Sequence, residues 1–184
     1  MRLIILVCLS LFAFGAAAEP PTTATPAPQW YLDDVEFLTR DGGKWIASNA
    51  DYQSTDETIE AYVIEWQKGY ANSMTGRLYG IVDGKPTGDF WRFQQYWHPG
   101  KAAAQVEQFG FGGAVGIGRL WQDGDANKTE QLFYAPDGGV SSVGHIARNP
   151  DADTHVTDSF NIVGEDWTPN RTYVWKRERT NSSE

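Results

Sequence analysis

The sequence predicts an all-β protein: an antiparallel up-and-down β-barrel of about 8–10 strands with a short N-terminal helix. The main observation is a series of short segments in which apolar and polar residues alternate, and it fills residues 44–179. Turn residues separate these segments at regular spacing, as in Asp83-Gly84-Lys85-Pro86 and Pro136-Asp137-Gly138-Gly139. No second helical stretch occurs that could carry parallel crossover connections, so neighbouring strands should pair as hairpins.

The first 18 residues match a secretory signal peptide. A charged start, Met1-Arg2, precedes an apolar run from Leu3 to Phe14, and Ala16-Ala17-Ala18 offers small residues for cleavage before Glu19. The apolar run is shorter than the roughly 20 residues of a bilayer-spanning helix, which makes a membrane anchor the weaker alternative. We expect a cleaved signal, a secreted or periplasmic location and no membrane insertion of the mature chain.

The chain after the signal peptide divides into three parts. Residues 19–29 (EPPTTATPAPQ) are mainly Pro, Thr and Ala, which cannot bury a core, so we predict a disordered or extended tether. Residues 30–179 have the length of one ordinary domain, and residues 180–184 form a short tail.

A short helix is predicted at the start of this domain, over residues 30–40. Leu32, Val35 and Leu38 recur at helical spacing, and Gly42-Gly43 then ends the pattern. We expect this helix to lie across an open end of the sheet, and a first strand is the alternative interpretation.

The β-type segments that follow are too many for a single flat sheet in one small domain. They must form a closed barrel or a two-sheet sandwich, and closure would also remove exposed strand edges. The glycine-rich stretch from Phe109 to Gly118 lacks the pattern of a phosphate loop, so its glycines indicate bulges, barrel corners or close backbone approach. The predicted strands are residues 44–50, 57–67, 73–81, 89–97, 103–110, 114–122, 129–135, 140–148, 154–163 and 171–179.

Composition excludes some partners and some sources of stability. The net charge is −9, from 15 basic and 24 acidic residues, so the chain repels phosphate backbones and no nucleic acid partner is expected. The single cysteine, Cys8, lies in the signal peptide, so the mature chain has no disulfide and must be stable through packing alone. The eight Trp, eight Tyr and nine Phe fit β structure with an aromatic core or an aromatic-lined pocket.

The Gly43-Lys44-Trp45 opening of the first strand, together with Arg177 in the last strand, resembles the lipocalin and calycin group of barrels. The resemblance implies that Trp45 and Arg177 form a structural barrel base, with the guanidinium stacked on the indole. The strand number is nearer to barrels of the nitrobindin and fatty-acid-binding type than to eight-stranded lipocalins. Haem-binding barrels of the nitrobindin kind carry a His near the last strand, and residues 171–179 contain none, so no cofactor is predicted. The alternative interpretation of Arg177 is a surface residue in a basic tail.

Aromatic residues alternate along several strands in a way that suits a small-molecule pocket. One face of the strand from Asp89 to His98 carries three aromatic residues and an amide, and the face of the last strand that carries Arg177 also carries Tyr173. Apolar area supplies affinity and placed amides supply orientation, although an ordinary aromatic core is the alternative. The predicted ligand-binding residues are Trp66, Trp91, Phe93, Gln95, Trp97, Phe109 and Tyr173.

No complete catalytic constellation is found, so no catalytic residue and no metal ligand are predicted. His145 and His155 fall on strands that should form a hairpin. If Arg148 pairs with Asp153, the two imidazoles point to opposite faces and cannot share a metal, although a one-residue bulge would reverse this. The mature chain has no Cys and no Gly-x-Ser-x-Gly elbow. Strand carboxylates that could supply the catalytic pair of a glycosidase are Glu60, Glu65 and Glu107.

These observations together predict an exported barrel that binds a small apolar or aromatic ligand in its lumen. Three alternatives stay open: an isomerase, cyclase or hydrolase on the same barrel that uses a buried carboxylate or His145, a carbohydrate-binding β-sandwich, and a filled barrel that serves only as an interaction module. Each makes a different prediction for the tryptophans, which would line a cavity, form an exposed strip or fill a core. The identity of the ligand and the oligomeric state do not follow from the sequence.

Overall fold

The structure is a computed structural model that describes residues 24–179. The predicted signal peptide, the first part of the tether and the tail 180–184 lie outside the described residues. Within the described part of the chain, one α-helix is followed by ten β-strands.

The helix, α1, runs from Gln29 to Thr39, and one 3₁₀ turn at Arg40–Gly42 joins it to the first strand. Gly43 follows in the left-handed region at φ 65°, where a side chain would be strained and would clash with the carbonyl of Trp66. The strands are β1 (Lys44–Ser48), β2 (Ala61–Lys68), β3 (Met74–Val82), β4 (Lys85–His98), β5 (Ala103–Gly110), β6 (Val115–Asp123), β7 (Ala126–Tyr134), β8 (Val140–Asp151), β9 (Thr154–Val163) and β10 (Asp166–Arg177).

The strands form one closed antiparallel barrel, in which each strand pairs with its neighbours in sequence and β1 pairs with β10. The β1–β10 pairing places Trp45 opposite Arg177 and Ala47 opposite Trp175. Because one sheet closes on itself, the two-sheet sandwich is excluded. The predicted all-β class, the up-and-down topology and the short N-terminal helix are confirmed.

The two ends of the barrel differ. At one end, which we call the base, α1 packs across the lumen beside the turns that follow β2, β4, β6 and β8. The Tyr31 hydroxyl donates to the carbonyl of Asn72 at 2.9 Å, and Trp97 Nε1 donates to the carbonyl of Thr25 at 2.8 Å. The other end, the rim, carries the remaining connections, including a 3₁₀ turn at Ala50–Tyr52, and no α-helix of residues 24–179 covers it.

The buried face of α1 differs in part from the predicted one. Val35 and Leu38 are buried as expected, whereas Leu32 is only half-buried. Tyr31 and Asp34 complete the buried face, since positions 31, 34, 35 and 38 lie on one side of a helix. A carboxylic acid is therefore part of the surface that the helix turns toward the lumen.

The β8–β9 hairpin corrects the prediction for the histidines. The register shifts after Arg148, which pairs with Val156 and not with Asp153. As a result, His145 and His155 both face the lumen. The prediction of opposite faces was wrong because the turn contains a bulge, which alternation alone cannot locate.

Candidate ligand-binding cavity

The lumen holds a cavity of about 950 Å³. Its lining extends from Asp34 and Leu38 of α1 at the base to Val140 and Arg171 at the rim. This volume lies at the upper end of the range of small-molecule sites, about 300–1,000 Å³. The barrel is therefore hollow, and the filled interaction module is excluded.

One side of the cavity, formed by β2, β3 and β4, is apolar, and we call it the aromatic wall. The Trp66 and Phe93 rings lie 5.3 Å apart between centroids, and Trp91 meets Phe133 of β7 edge to face at 5.4 Å. Such rings offer a ligand large apolar area and defined π faces. The aromatic wall consists of Ile64, Trp66, Leu78, Trp91 and Phe93.

Glycines opposite the large rings explain why the lumen stays open. Trp66 pairs with Gly76 and Trp91 pairs with Gly110 across neighbouring strands. A Cβ added at Gly76 would lie 2.6 Å from Trp66 Cε3, and one at Gly110 would lie 2.9 Å from Trp91 Cζ3. Each indole thus lies over its glycine against the wall and does not project into the lumen.

The opposite side, formed by β7, β8 and β9, is polar, and we call it the polar wall. Gln131 Nε2 is buried without a hydrogen-bond partner in residues 24–179. An unsatisfied buried donor costs about 1–3 kcal/mol, so a bound polar group would stabilise this side. The polar wall consists of Asn127, Thr129, Gln131, His145, Thr157 and Ser159.

Asp34 lies at the base of the cavity, between the two walls. The residue is buried, with 6% of its surface exposed. Its two carboxylate oxygens accept hydrogen bonds, one from Gln95 Nε2 at 3.3 Å and the other from Asn127 Nδ2 at 2.8 Å. Burial raises the pKa of Asp34 to about 6, while the two amide donors oppose that rise. The carboxyl group is therefore mostly ionised at neutral pH.

Both lumen histidines are enclosed by the barrel. Burial lowers the pKa of His145 to about 4. Burial, assisted by the nearby Arg177 charge, also lowers the pKa of His155 to about 4. The two imidazoles are neutral at pH 7, so they supply hydrogen-bonding groups and no positive charge.

An ion pair crosses the rim. Arg171 donates from Nη1 and Nη2 to the two carboxylate oxygens of Glu57, at 2.6 and 2.7 Å. Glu57 also accepts from the hydroxyl of Tyr62, and these hydrogen bonds hold the pKa of the Glu57 carboxyl well below its usual range, the Arg171 bonds being the largest cause. The guanidinium stacks on Tyr52, so the β1–β2 connection is fixed to β10 at this point.

Five of the seven predicted ligand-binding residues line the cavity. Four of them, Trp66, Trp91, Phe93 and Gln95, lie on the inward faces of β2 and β4, and Tyr173 lies on β10 near the rim. The aromatic residues of β4 did not by themselves identify its inward face, because the outer face carries two aromatic residues as well.

Trp97 and Phe109 do not line the cavity. Trp97 shares the inward face of β4, but it lies beyond the cavity, where it packs on Tyr31 of the helix at 6.1 Å. Phe109 is on the outer face and is 47% exposed. Gln108 pairs with the inward-facing Phe93 and therefore faces inward too, so the next residue, Phe109, faces outward. The prediction for Phe109 therefore placed it on the wrong face.

Trp45 and Arg177 meet at the base, as the resemblance implied. The guanidinium carbon of Arg177 lies 4.0 Å from the Trp45 ring centroid, and Trp45 is fully buried. Arg177 also donates to the carbonyls of Phe37 and Arg40, at 2.9 and 3.0 Å, so the last strand holds the C-terminal end of α1. The alternative of a surface Arg is excluded by its 8% exposure.

The carboxylates considered for acid–base catalysis lie outside the barrel. Glu65 pairs with Arg77 and the Tyr79 hydroxyl, and Glu107 accepts from Tyr96, all on the outer face. Glu60 is exposed at the β1–β2 connection. Residues 24–179 contain no cluster of three His, Cys, Asp or Glu side chains that could hold a metal ion.

Asp34 and the polar wall were missed by sequence reasoning. The signal for Asp34 was present, because an acidic residue one turn from Tyr31 and Leu38 interrupts an otherwise apolar helix face. The polar wall had a weaker signal, since inward amides and outward amides look alike in a strand. Only the register of β7 with its neighbours tells them apart.

The outer surface bears on the carbohydrate-binding alternative. All eight tryptophans lie in the described residues, and each is at least partly buried, so no exposed tryptophan strip for carbohydrate is formed. In the described part of the chain, no helix has the length and apolar character needed to span a bilayer.

Comparison with known proteins assigns no family. No protein-family model matches the chain. No curated protein matches it either. The closed barrel, the cavity and the chemistry of the lining residues are therefore the basis for a functional proposal.

Proposed function

We propose that this chain is an exported, lipocalin-like barrel that binds a small apolar or aromatic ligand in its lumen. The observation that carries the proposal is the cavity of about 950 Å³ with a continuous aromatic wall. Burial of apolar ligand area against such a wall contributes about 25 cal/mol per Å². A ligand with one or two rings could gain several kcal/mol there before the cost of association.

The lipocalin-like assignment is supported by the arrangement at the base. A first-strand Trp beneath a last-strand Arg is what the resemblance to that group implied, and Trp45 and Arg177 stand in this relation at 4.0 Å. A helix that covers one barrel end and an open rim at the other also fit a protein that takes up ligand from one side. The signal-like residues 1–18 support export of the mature chain.

An enzyme on the same barrel is the second candidate. It is favoured by one observation, that a buried carboxyl, Asp34, and an imidazole, His145, both face the cavity. A group with a shifted pKa in a cavity is typical of acid–base catalysis. A catalytic role predicts that a bound compound is converted, whereas a carrier releases it unchanged.

Native mass spectrometry of the mature protein, purified from the secreted or periplasmic fraction of its own host, tests the proposal. We expect a chain that begins at Glu19 and carries a non-covalent adduct of small mass. A retained compound that is recovered unchanged after incubation favours a carrier, and its conversion favours the enzyme.

Titration with a hydrophobic aromatic probe extends this test to ligands that dissociate during purification. Quenching of tryptophan fluorescence should report binding, because Trp66 and Trp91 line the cavity. An apo mass together with no saturable quenching by aromatic or aliphatic probes would contradict a ligand-binding lumen.

A further inference from the structure

We infer that Asp34 determines ligand specificity, and that the cavity selects small ligands in which an ammonium group is attached to an aromatic or apolar body. This inference rests on the proposed function and adds the chemical class of the ligand. Asp34 would hold the cationic nitrogen at the base of the lumen, while the aromatic wall would hold the apolar body.

The hydrogen bonds of Asp34 leave room for a ligand. An ionised carboxylate can accept about four hydrogen bonds. Gln95 and Asn127 occupy one acceptor position on each oxygen. Because Asp34 lines the cavity, the remaining positions are available to a donor that enters from the lumen.

The charge of Asp34 has no partner of opposite sign within residues 24–179. A buried ionised group is costly unless it is paired, so an entering cation would gain from a charge that is already in place. The rise of the Asp34 pKa to about 6, caused by burial, expresses this cost. The group is nevertheless ionised at pH 7, when a ligand ammonium would also be charged.

No other group on the cavity lining supplies the missing positive charge. His145 and His155 are neutral at pH 7, because burial lowers the pKa of each to about 4. Arg171 lies at the rim and is already held by both oxygens of Glu57. The interior of the cavity is therefore negative, which favours cations and repels fatty acids and other carboxylates.

The aromatic wall complements a cation as well as an apolar body. Phe93 and Gln95 lie on the same face of β4, and residues two apart along a strand are separated by about 7 Å. The Trp66 ring packs on Phe93 at 5.3 Å. An ammonium bound at Asp34 would lie near these π faces, and cation–π attraction strengthens when the cation is desolvated.

Three probes that share a naphthyl group and differ only in their polar group test this inference separately from the proposed function. They are 2-(1-naphthyl)ethylamine, 2-(1-naphthyl)ethanol and the carboxylate 1-naphthaleneacetate. Their affinities are measured by calorimetry at pH 7 and about 0.15 M salt, which screens the net negative charge of the chain. We expect the amine to bind about 10- to 100-fold more tightly than the alcohol, because both can donate a hydrogen bond to the carboxylate but only the ammonium adds an opposite charge in a site shielded from water. The carboxylate should bind least.

Two variants on the same helix test the role of Asp34. Asp34→Asn should reduce the affinity for the amine to about that of the alcohol and should change the affinity for the alcohol much less, because an amide oxygen still accepts a hydrogen bond from the hydroxyl. Asp33→Asn makes the same change of charge at an exposed neighbour and should leave both affinities unchanged. An equal loss in the two variants would show a general charge effect and overturn the inference.

The pH dependence of the wild-type protein gives a test that needs no variant. The groups that contact Asp34 are Tyr31 on α1, Gln95 on β4 and Asn127 on β7, and none of them titrates between pH 5 and 7. The two histidines that share the cavity, His145 and His155, have pKa values of about 4 and stay mostly neutral down to pH 5. Protonation of Asp34 should therefore weaken amine binding about tenfold from pH 7 to pH 5, with a much smaller change for the alcohol.

The outcomes distinguish the two levels of the proposal. Binding of the alcohol or the carboxylate as tightly as the amine would overturn the role of Asp34 and leave the ligand-binding lumen intact. Binding of none of the three probes would count against the lumen as an aromatic ligand site, and would remove this inference with it.

Discussion

The base and the cavity both contain inward-facing tryptophans, but these tryptophans have different roles in the two places. At the base, the Trp45 ring is enclosed by Arg177, Phe37 and the carbonyl of Leu38, to which its Nε1 donates. In the cavity, Trp66 and Trp91 lie over glycines against the wall. An inward indole is thus fully enclosed where an arginine and the helix cover it, and it lies flat along the cavity wall where a glycine is across the strand pair.

The comparison predicts that substitutions at the base change stability and that substitutions in the cavity change binding. Trp45→Ala has the largest expected effect. It removes a fully buried ring and the surface on which Arg177 stacks, so we expect the free energy of unfolding to fall by about 3–5 kcal/mol. Chemical denaturation measures this loss.

Trp121→Ala is the matched control for that substitution. Trp121 lies on the outer face of β6, where it pairs with Lys128, and it contacts the guanidinium of Arg119. Its loss should cost much less than the loss of Trp45. Equal costs for the two substitutions would contradict the special role of the base.

Acidification should have the next largest effect. A histidine whose folded pKa is depressed contributes stability above its unfolded value of about 6.5, and this is lost as the pH falls toward 4. His145 and His155 both behave in this way, with up to about 3 kcal/mol each. Asp34 has the opposite sign, because its pKa is raised, so its protonation between about pH 6 and 4 stabilises the fold.

The two histidines outweigh the one carboxyl, so the net loss from pH 7 to pH 4.5 should be about 3 kcal/mol. Thermal unfolding as a function of pH measures it. His145→Gln keeps a polar side chain and should make the loss smaller, whereas Asp34→Asn should make it larger. A pH profile that is the same in all three proteins would contradict the burial of these groups.

Trp91→Ala should affect ligand binding more than stability. Because Trp91 lies over Gly110 and already borders the cavity, its removal creates little additional buried void. We expect affinity for a bound aromatic probe to fall about tenfold, with a loss of stability of about 1–2 kcal/mol. Parallel calorimetry and denaturation measure the two changes, and a loss confined to stability would assign Trp91 to the core.

Gln95→Leu should have the smallest effect, and the effect should be on selectivity. The substitution removes one of the two donors to Asp34 while keeping a side chain of similar volume. The ratio of amine to alcohol affinity should change by about 3- to 10-fold, with little change in melting temperature. If both quantities stay constant, Gln95 does not support the carboxylate.

The fold was predictable because its signals are local. Alternation and turn residues mark each strand. A meander of ten strands has few ways other than closure to pair the backbone N–H and C=O groups of its two edge strands. The site was predictable in part, because the face of β4 with more aromatic residues is the one that lines the lumen. The face of Phe109 depends on its register with Phe93, the histidines depend on one bulge, and Asp34 depends on a helix that crosses the lumen.

The contact between Arg177 and α1 has a consequence for the time course of folding. Arg177 is hydrogen-bonded to Arg40 and Phe37, which precede it in the sequence by 137 and 140 positions. The same region closes the barrel through the pairing of β1 with β10. Such contacts require the loss of a great deal of chain entropy before they add stability, so they form late. The barrel must therefore pass through a stage in which its hairpins exist but its aromatic interior is still open to water. Productive closure then depends on the last dozen residues of the domain.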